Sequence, residues 1–224
     1  MATEVNGGID SSVARTEVLR RIRAANGRPV EGANVAEQWS GIQREYQRSA
    51  TRSREEILDL LEDRLHDYDA NVVRTDESGI AATVAKLLTE RGRRKIVIPP
   101  GLNPAWLPEG FDFVVDEGAP SAELDGFEGV MTASTSAIAI TGSVILQNVP
   151  GQGRRAISLI PDYHLCFVRV EDVVETVPEA IAGLKERSIL PTTFFAGPSA
   201  TADIEMTRIK GVHGPRFLDI ILVG

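Results

Sequence analysis

The chain holds one cysteine in 224 residues. A single thiol closes no internal disulfide, and it cannot supply the several thiolates that hold an iron–sulfur cluster. Cys166 also sits in the apolar run His164-Leu165-Cys166-Phe167-Val168, where it reads as a small packed hydrophobe. Histidine is nearly as scarce: His66, His164 and His213 are scattered, without metal-ligand spacing. Basic residues are outnumbered 24 to 32, for a net charge of −8. Bulk attraction to nucleic acid or to an anionic membrane is therefore not expected. No apolar run approaches the length of a membrane span. The first residues lack a basic stretch followed by an apolar one, so no secretory signal is visible. A cytoplasmic protein is the expectation.

What is present is enough hydrophobic sequence for a real core, 42% of residues. Residues 1–69 read as helix, an N-terminal helical arm. Ser11 or Ser12 caps a first helix that runs to Asn26-Gly27. A second covers Val35 to Arg48. A third, from Arg54 to about Tyr68, places Ile57, Leu58, Leu61, Leu65 and Tyr68 on one face behind a Ser53/Glu56 capping box. If the second helix continues, Arg44, Arg48 and Arg52 form one basic stripe, either solvated or a docking face for an acidic partner.

Residues 70–224 alternate strand and helix. Strands are expected at Val72-Val73, Lys95–Ile98, Phe111–Val115, Gly129–Met131, Ala137–Gln147 with a break at Thr141-Gly142, Ala156–Ile160 and Leu165–Val170. Helices are expected at Glu77–Arg91 and from Pro178 to Lys185. The fold class is α/β, with a mixed, largely parallel sheet covered by helices.

The densest chemistry lies between two C-terminal strands, in Gly197-Pro-Ser-Ala-Thr-Ala-Asp-Ile-Glu205 and Gly211-Val-His-Gly-Pro-Arg216. A strand, a Gly-Pro-Ser turn and then a short helix would aim backbone N–H groups and the Ser199 and Thr201 hydroxyls at one spot, suited to an anion. Asp203 and Glu205 would repel that anion, or hold Arg208 or Arg216. The bland alternative is a capped turn whose polar groups satisfy backbone. His213, between glycines, is a ring either exposed for function or incidental to a turn. Ser199, His213 and Asp203 make a triad on inventory alone, but the Gly-x-Ser-x-Gly elbow is missing. Thr132–Ser136 is a hydroxyl-rich run, suited to a pocket mouth or simply a polar loop with ST-turns. Arg154 and Arg155 offer guanidiniums for a carboxylate, or form a plain exposed turn. Neither a dinucleotide fingerprint nor a Walker lysine occurs.

These motifs, with Ala137-Ile138-Ala139, Thr141-Gly142 and Pro161 with His164, resemble the lactate-utilisation (LUD) domain family, in its LutC/YkgG branch. The resemblance covers residues 57 to 224. It implies a fold similar to the sugar-phosphate isomerase and coenzyme A transferase-like (NagB/RpiA) proteins. It also implies a cytoplasmic role beside LutA-like and LutB-like iron–sulfur subunits in oxidising L-lactate to pyruvate, with no cofactor in this chain. The residue before Thr141-Gly142 is commonly Glu in such sequences and is Ile140 here, which removes a carboxylate nucleophile. Expected ligand-binding residues are Thr141, Gly142, Gly197, Ser199, Thr201, His213, Gly214 and Arg216, with a small anionic metabolite as ligand. The alternative is a stand-alone isomerase or transferase using His213, Asp203 or Glu205 as acid or base.

Overall fold

The structure, a computed structural model, describes residues 11–26, 35–187, 189–201, 209–211 and 213–224. It divides into two compact units, Met1–Tyr46 and Gln47–Gly224. The first carries α1 (Ser11–Ala25) and α2 (Val35–Ser40). Helix α2 is shorter than expected. It stops where Ser40 turns its hydroxyl back onto the Glu37 carbonyl and Gly41 follows, two residues that favour leaving a helix. The basic row is therefore not carried on a helix. Arg44 donates to the Trp39 and Ile42 carbonyls, and Arg52, in the second unit, pairs with Glu175.

In the second unit the capping box at Ser53 and Glu56 forms and opens α3 (Arg54–Asp67). Its apolar face is buried: Leu61 and Leu65 are fully inaccessible and pack with the sheet residues Cys166, Val168, Leu218 and Ile220. Hydrophobic spacing alone made this helix look like part of an arm. In the structure the division falls at Tyr46/Gln47, not at residue 69, because α3 supplies one layer of the α/β core.

From there the chain alternates: β1 (Asn71–Thr75), α4 (Ile80–Glu90), β2 (Lys95–Ile98), β3 (Asp112–Val115), the short α5 (Ser121–Leu124) and β4 (Gly129–Ala133). Next come β5 (Ser136–Ile138), β6 (Ser143–Gln147), β7 (Tyr163–Arg169), β8 (Val173–Val174), α6 (Val177–Gly183) and β9 (Thr192–Phe195). A hairpin of β10 (Ala200–Thr201) and β11 (Ile209–Lys210) precedes the last strand, β12 (Phe217–Val223).

Six strands form one sheet in the order β1-β12-β7-β4-β2-β3, every pair parallel. Its central strands are buried on both faces, so they read as continuous apolar runs rather than alternations. Along β7, Tyr163, Leu165 and Phe167 face α4, while Cys166 and Val168 face α3. Helix α4 covers its side with Ile80, Val84, Leu87 and Leu88, and each such side chain contributes roughly 1.5–3 kcal/mol by leaving water. A second sheet, β8-β5-β6-β9, is mixed: β5/β8 are parallel, β5/β6 and β6/β9 antiparallel. The expected mixed, largely parallel α/β class is what forms.

One expected strand is absent. Residues 156–160 are a run of tight turns, with Ile157 N–H donating to the Arg154 carbonyl and Ile160 N–H to Ala156. Ile157 is fully buried all the same. A short apolar run satisfies a core equally well from turns, and periodicity could not tell the two apart.

Glu175 fastens residues 47–52 to the end of β8. Its buried carboxylate accepts from the Thr51 and Arg52 backbone N–H groups, the Gln47 amide and the Arg52 guanidinium. These donors, the backbone N–H groups first, hold its pKa down to about 2.

Candidate functional site

The two glycine-rich motifs close on each other. Ser199 N–H donates to the Pro215 carbonyl (2.8 Å), Gly211 N–H to the Ser199 carbonyl (2.8 Å), and His213 N–H to Ser199 Oγ (3.1 Å). Ser199 is thus the staple between the segment leaving β9 and the segment entering β12. The Ser199 hydroxyl is bonded to the His213 backbone, not set up against the ring as a nucleophile would be.

Beside this corner lies a cavity of about 250 Å³. Its wall is Phe195 to Ser199 on one side and His213 to Pro215 on another, with Arg155, Ser158, His164 and Leu218 completing it. The sheet register explains the floor: His164 and Leu218 are directly paired second residues of β7 and β12. The cavity therefore opens near the amino ends of these strands, on the α3 side of the sheet.

Of the residues expected from sequence, Gly197, Ser199, His213 and Gly214 line this cavity. Arg216 does not. It is committed to Asp162 through a two-pronged pair at 2.6 and 3.0 Å, which Arg93 joins at 3.3 Å. Thr141 and Gly142 do not line it either. Thr141 Oγ1 bonds Ser143 Oγ at 2.9 Å, and Gly142 backs onto Arg64 of α3. Thr201 enters β10, a strand, so the expected helix N-terminus does not follow Ser199 and contributes no dipole. Asp203, Glu205 and Arg208 lie outside the described residues.

Arg155, Ser158 and His164 line the cavity as well, and Thr132 stands behind His164. Arg155 was legible as a candidate carboxylate binder, though not which of the Arg154-Arg155 pair would serve. Arg154 is spent on Asp116, at 2.6 and 2.8 Å, which lowers the Asp116 pKa. Among the described residues Arg155 has only Ser158 for a side-chain partner, through Nη1 at 3.1 Å to Oγ. Crowding by protein lowers its pKa, yet a guanidinium stays charged at any working pH. Among the described residues no carboxylate lines the cavity. A wider recess beside β3 is the opposite case, with Asp116, Glu117 and Glu123 on its wall and no cation among the described residues there.

Thr132, expected at a pocket mouth, is instead fully buried. Its Oγ1 lies 2.8 Å from Nε2 of His164, and the His164 ring packs at a tilt 5.1 Å from that of Phe195. His164 is 3% exposed. Burial, assisted by the charge of Arg155, pushes its pKa down to about 3. The unfolded chain titrates its histidines near 6.5, so between these values it holds a proton that the folded chain does not. Stability from this site is fully present above about pH 6.5 and falls as pH drops, by about 1.4 kcal/mol per unit. Wild type should lose about 2 kcal/mol more than His164→Gln between pH 7.5 and pH 5 in urea denaturation. Paired carboxylates such as Asp116 and Glu175 have lowered pKa values and lose their contribution only further into acid. A pH-independent gap between the two proteins would refute the neutral buried ring.

A family model described as the LUD domain matches residues 123–223, which span the cavity wall from Arg155 to Leu218. A protein of Deinococcus radiodurans named Lactate utilization protein C is 43% identical over 178 residues, 78% of this chain and 83% of the relative. The chain belongs to the LUD domain family. Lactate utilization protein C of Bacillus subtilis is 25% identical over 228 residues, 92% of this chain and 94% of that protein. A crystal structure of a DUF162 family protein from Deinococcus radiodurans superposes with a TM-score of 0.68 at 39% identity, covering 77% of this chain and 99% of that one. The α/β architecture is thus that of a solved LUD relative. No helix among the described residues is long and apolar enough to cross a membrane.

Proposed function

We propose that this chain is the ligand-holding subunit of an L-lactate-oxidising system, without a redox centre of its own, and that its cavity binds a small carboxylate. The observation that carries this is the cavity's polarity: one guanidinium, two serine hydroxyls and neutral His164, with no carboxylate among the described residues. A pocket of that make-up favours an anion, and Arg155 presents the planar fork that matches a carboxylate. The names of the relatives, lactate utilization proteins, favour lactate among small anions, and with it pyruvate, its two-electron oxidation product. Electrons leave through LutA-like and LutB-like iron–sulfur partners, since the single cysteine is buried, its thiol pushed up to about 12 by burial. The protein works in the cytoplasm with those partners.

Calorimetric titration of the purified chain with L-lactate and with pyruvate tests the reading. Arg155→Met should weaken binding about 10- to 100-fold, the worth of charge-assisted hydrogen bonds to a carboxylate, while the fold persists because Arg155 holds only Ser158 among the described residues. His213→Ala should abolish growth on L-lactate while the chain alone shows no turnover. Conversion of a sugar phosphate or acyl thioester by the isolated chain would favour a stand-alone isomerase or transferase instead.

A further inference from the structure

We propose that the Thr132–His164 pair reads the α-oxygen of a 2-hydroxy or 2-oxo acid whose carboxylate rests on Arg155, and adapts to both by a change of imidazole tautomer. The inference rests on the small-carboxylate reading of the cavity above. It begins from what the His164 ring has left to offer. Nε2 is held by Thr132 Oγ1 at 2.8 Å, on the adjacent strand β4, and the ring packs against Phe195. Nδ1 has no partner among the described residues, and the ring lines the cavity that Arg155 also lines. The Nδ1 edge is therefore the group presented to a ligand held by Arg155.

Threonine is the partner that makes two states possible, because a hydroxyl both donates and accepts. With the proton on Nε2, the ring donates to Thr132, and the Thr132 hydroxyl turns toward Cys166 Sγ, 3.6 Å away. Nδ1 is then a bare acceptor, matched to the hydroxyl of a 2-hydroxy acid. With the proton on Nδ1, Thr132 donates to Nε2, and Nδ1–H donates to the keto oxygen of a 2-oxo acid. Neither state leaves the ring or the threonine unpaired in the interior, so neither carries a burial penalty. The ring stays neutral in both and no net proton is taken up. A subunit built this way holds the reduced and the oxidised acid alike and leaves the electrons to its partners.

The full chain labelled with ¹⁵N-histidine is titrated with L-lactate, pyruvate and propionate, with the His164 resonances assigned by their loss in His164→Gln. L-lactate should give a pyridine-like Nδ1, and pyruvate a pyrrole-like Nδ1 with the proton exchanged between nitrogens. Affinities for L-lactate and pyruvate should agree within about tenfold, with propionate, lacking the α-oxygen, bound about tenfold or more weakly. Thr132→Ser should keep the lactate-to-propionate ratio and Thr132→Val should collapse it. The NMR comparison on wild type stands even where Thr132→Val fails to fold. One tautomer with both acids, or propionate bound as tightly as lactate, overturns the proposal while Arg155-dependent binding leaves the carboxylate reading intact. Failure of both acids to bind overturns the two together.

Discussion

Gly197→Ala should lower stability by roughly 3–5 kcal/mol, whereas Gly92→Ala should cost about 1 kcal/mol. Both glycines have positive φ, +72° and +64°. Each alanine therefore pays the same left-handed backbone penalty of roughly 1–2 kcal/mol. They differ in surroundings. A Cβ at Gly92 meets nothing within 4 Å, while one at Gly197 would overlap Tyr68 Cβ and stand 2.5 Å from the Tyr68 carbonyl oxygen. Tyr68 is the C-cap of α3, whose Leu61 and Leu65 lie in the core, so the helix end cannot retreat cheaply. The difference between the two substitutions isolates the clash from the dihedral cost. Urea denaturation of both variants measures it, and equal losses would show that Tyr68 yields freely. Because Gly197 is also part of the cavity wall, the functional consequence goes the same way. A displaced 196–199 segment moves Ser199 off the Pro215 carbonyl and off the His213 N–H, and the two halves of the cavity wall part.

That dependence explains why the corner was legible in sequence and the rest of the site was not. Glycine and proline at 197–198 and 211–215 announce a backbone constraint locally, in residue type alone. The other wall comes from β7, and no local rule places it there. His164 and Leu218 meet because β7 and β12 pair in parallel across 53 intervening residues, a register that periodicity does not reveal. His164 looked like one more member of an apolar strand. Its partner Thr132 looked like part of a hydroxyl-rich loop, yet strand β4 carries it into the interior. Arg216 failed for a related reason: its sequence neighbours promised a ligand, but Asp162, 54 residues back, takes the guanidinium first. The fold was easier. Helices α3 and α4 have strong 3.6-residue stripes, and the short buried strands were found from apolar runs bounded by glycine and proline. The single misread strand, 156–160, had composition without a pairing partner. The boundary at residue 69 erred because an amphipathic helix shows which face it buries and not what it buries it against.

Asp219→Ala should destabilise the protein by about 3–5 kcal/mol, with weaker ligand binding as a second consequence. The Asp219 side chain is fully buried on the face of β12 opposite the cavity, where it accepts from Arg91 at 2.5 and 3.2 Å and from the Tyr163 hydroxyl at 2.8 Å. Removal strands two donors at once. Tyr163 is itself fully buried, and Arg91 is 30% exposed, so most of its charge cannot recover water. The Arg91 and Arg93 guanidiniums also lie over the Phe217 ring, 5.2 and 5.9 Å from its centre, and Arg93 joins Arg216 on Asp162. The starts of β7 and β12 are thus clamped by charge on one face while His164 and Leu218 face the cavity on the other. Asp219→Asn keeps an acceptor for Tyr163 but loses the ion pair, so its cost should fall between wild type and alanine. In a cycle with Arg91→Ala, the two residues should couple by about 1–3 kcal/mol. Additive losses would show that the carboxylate serves Tyr163 alone. Should the clamp hold the strand starts in place, pyruvate affinity measured well below the unfolding midpoint of Asp219→Asn should drop severalfold although no substituted atom touches the cavity. Unchanged affinity would mean that the floor formed by His164 and Leu218 is held by the β7–β12 ladder alone.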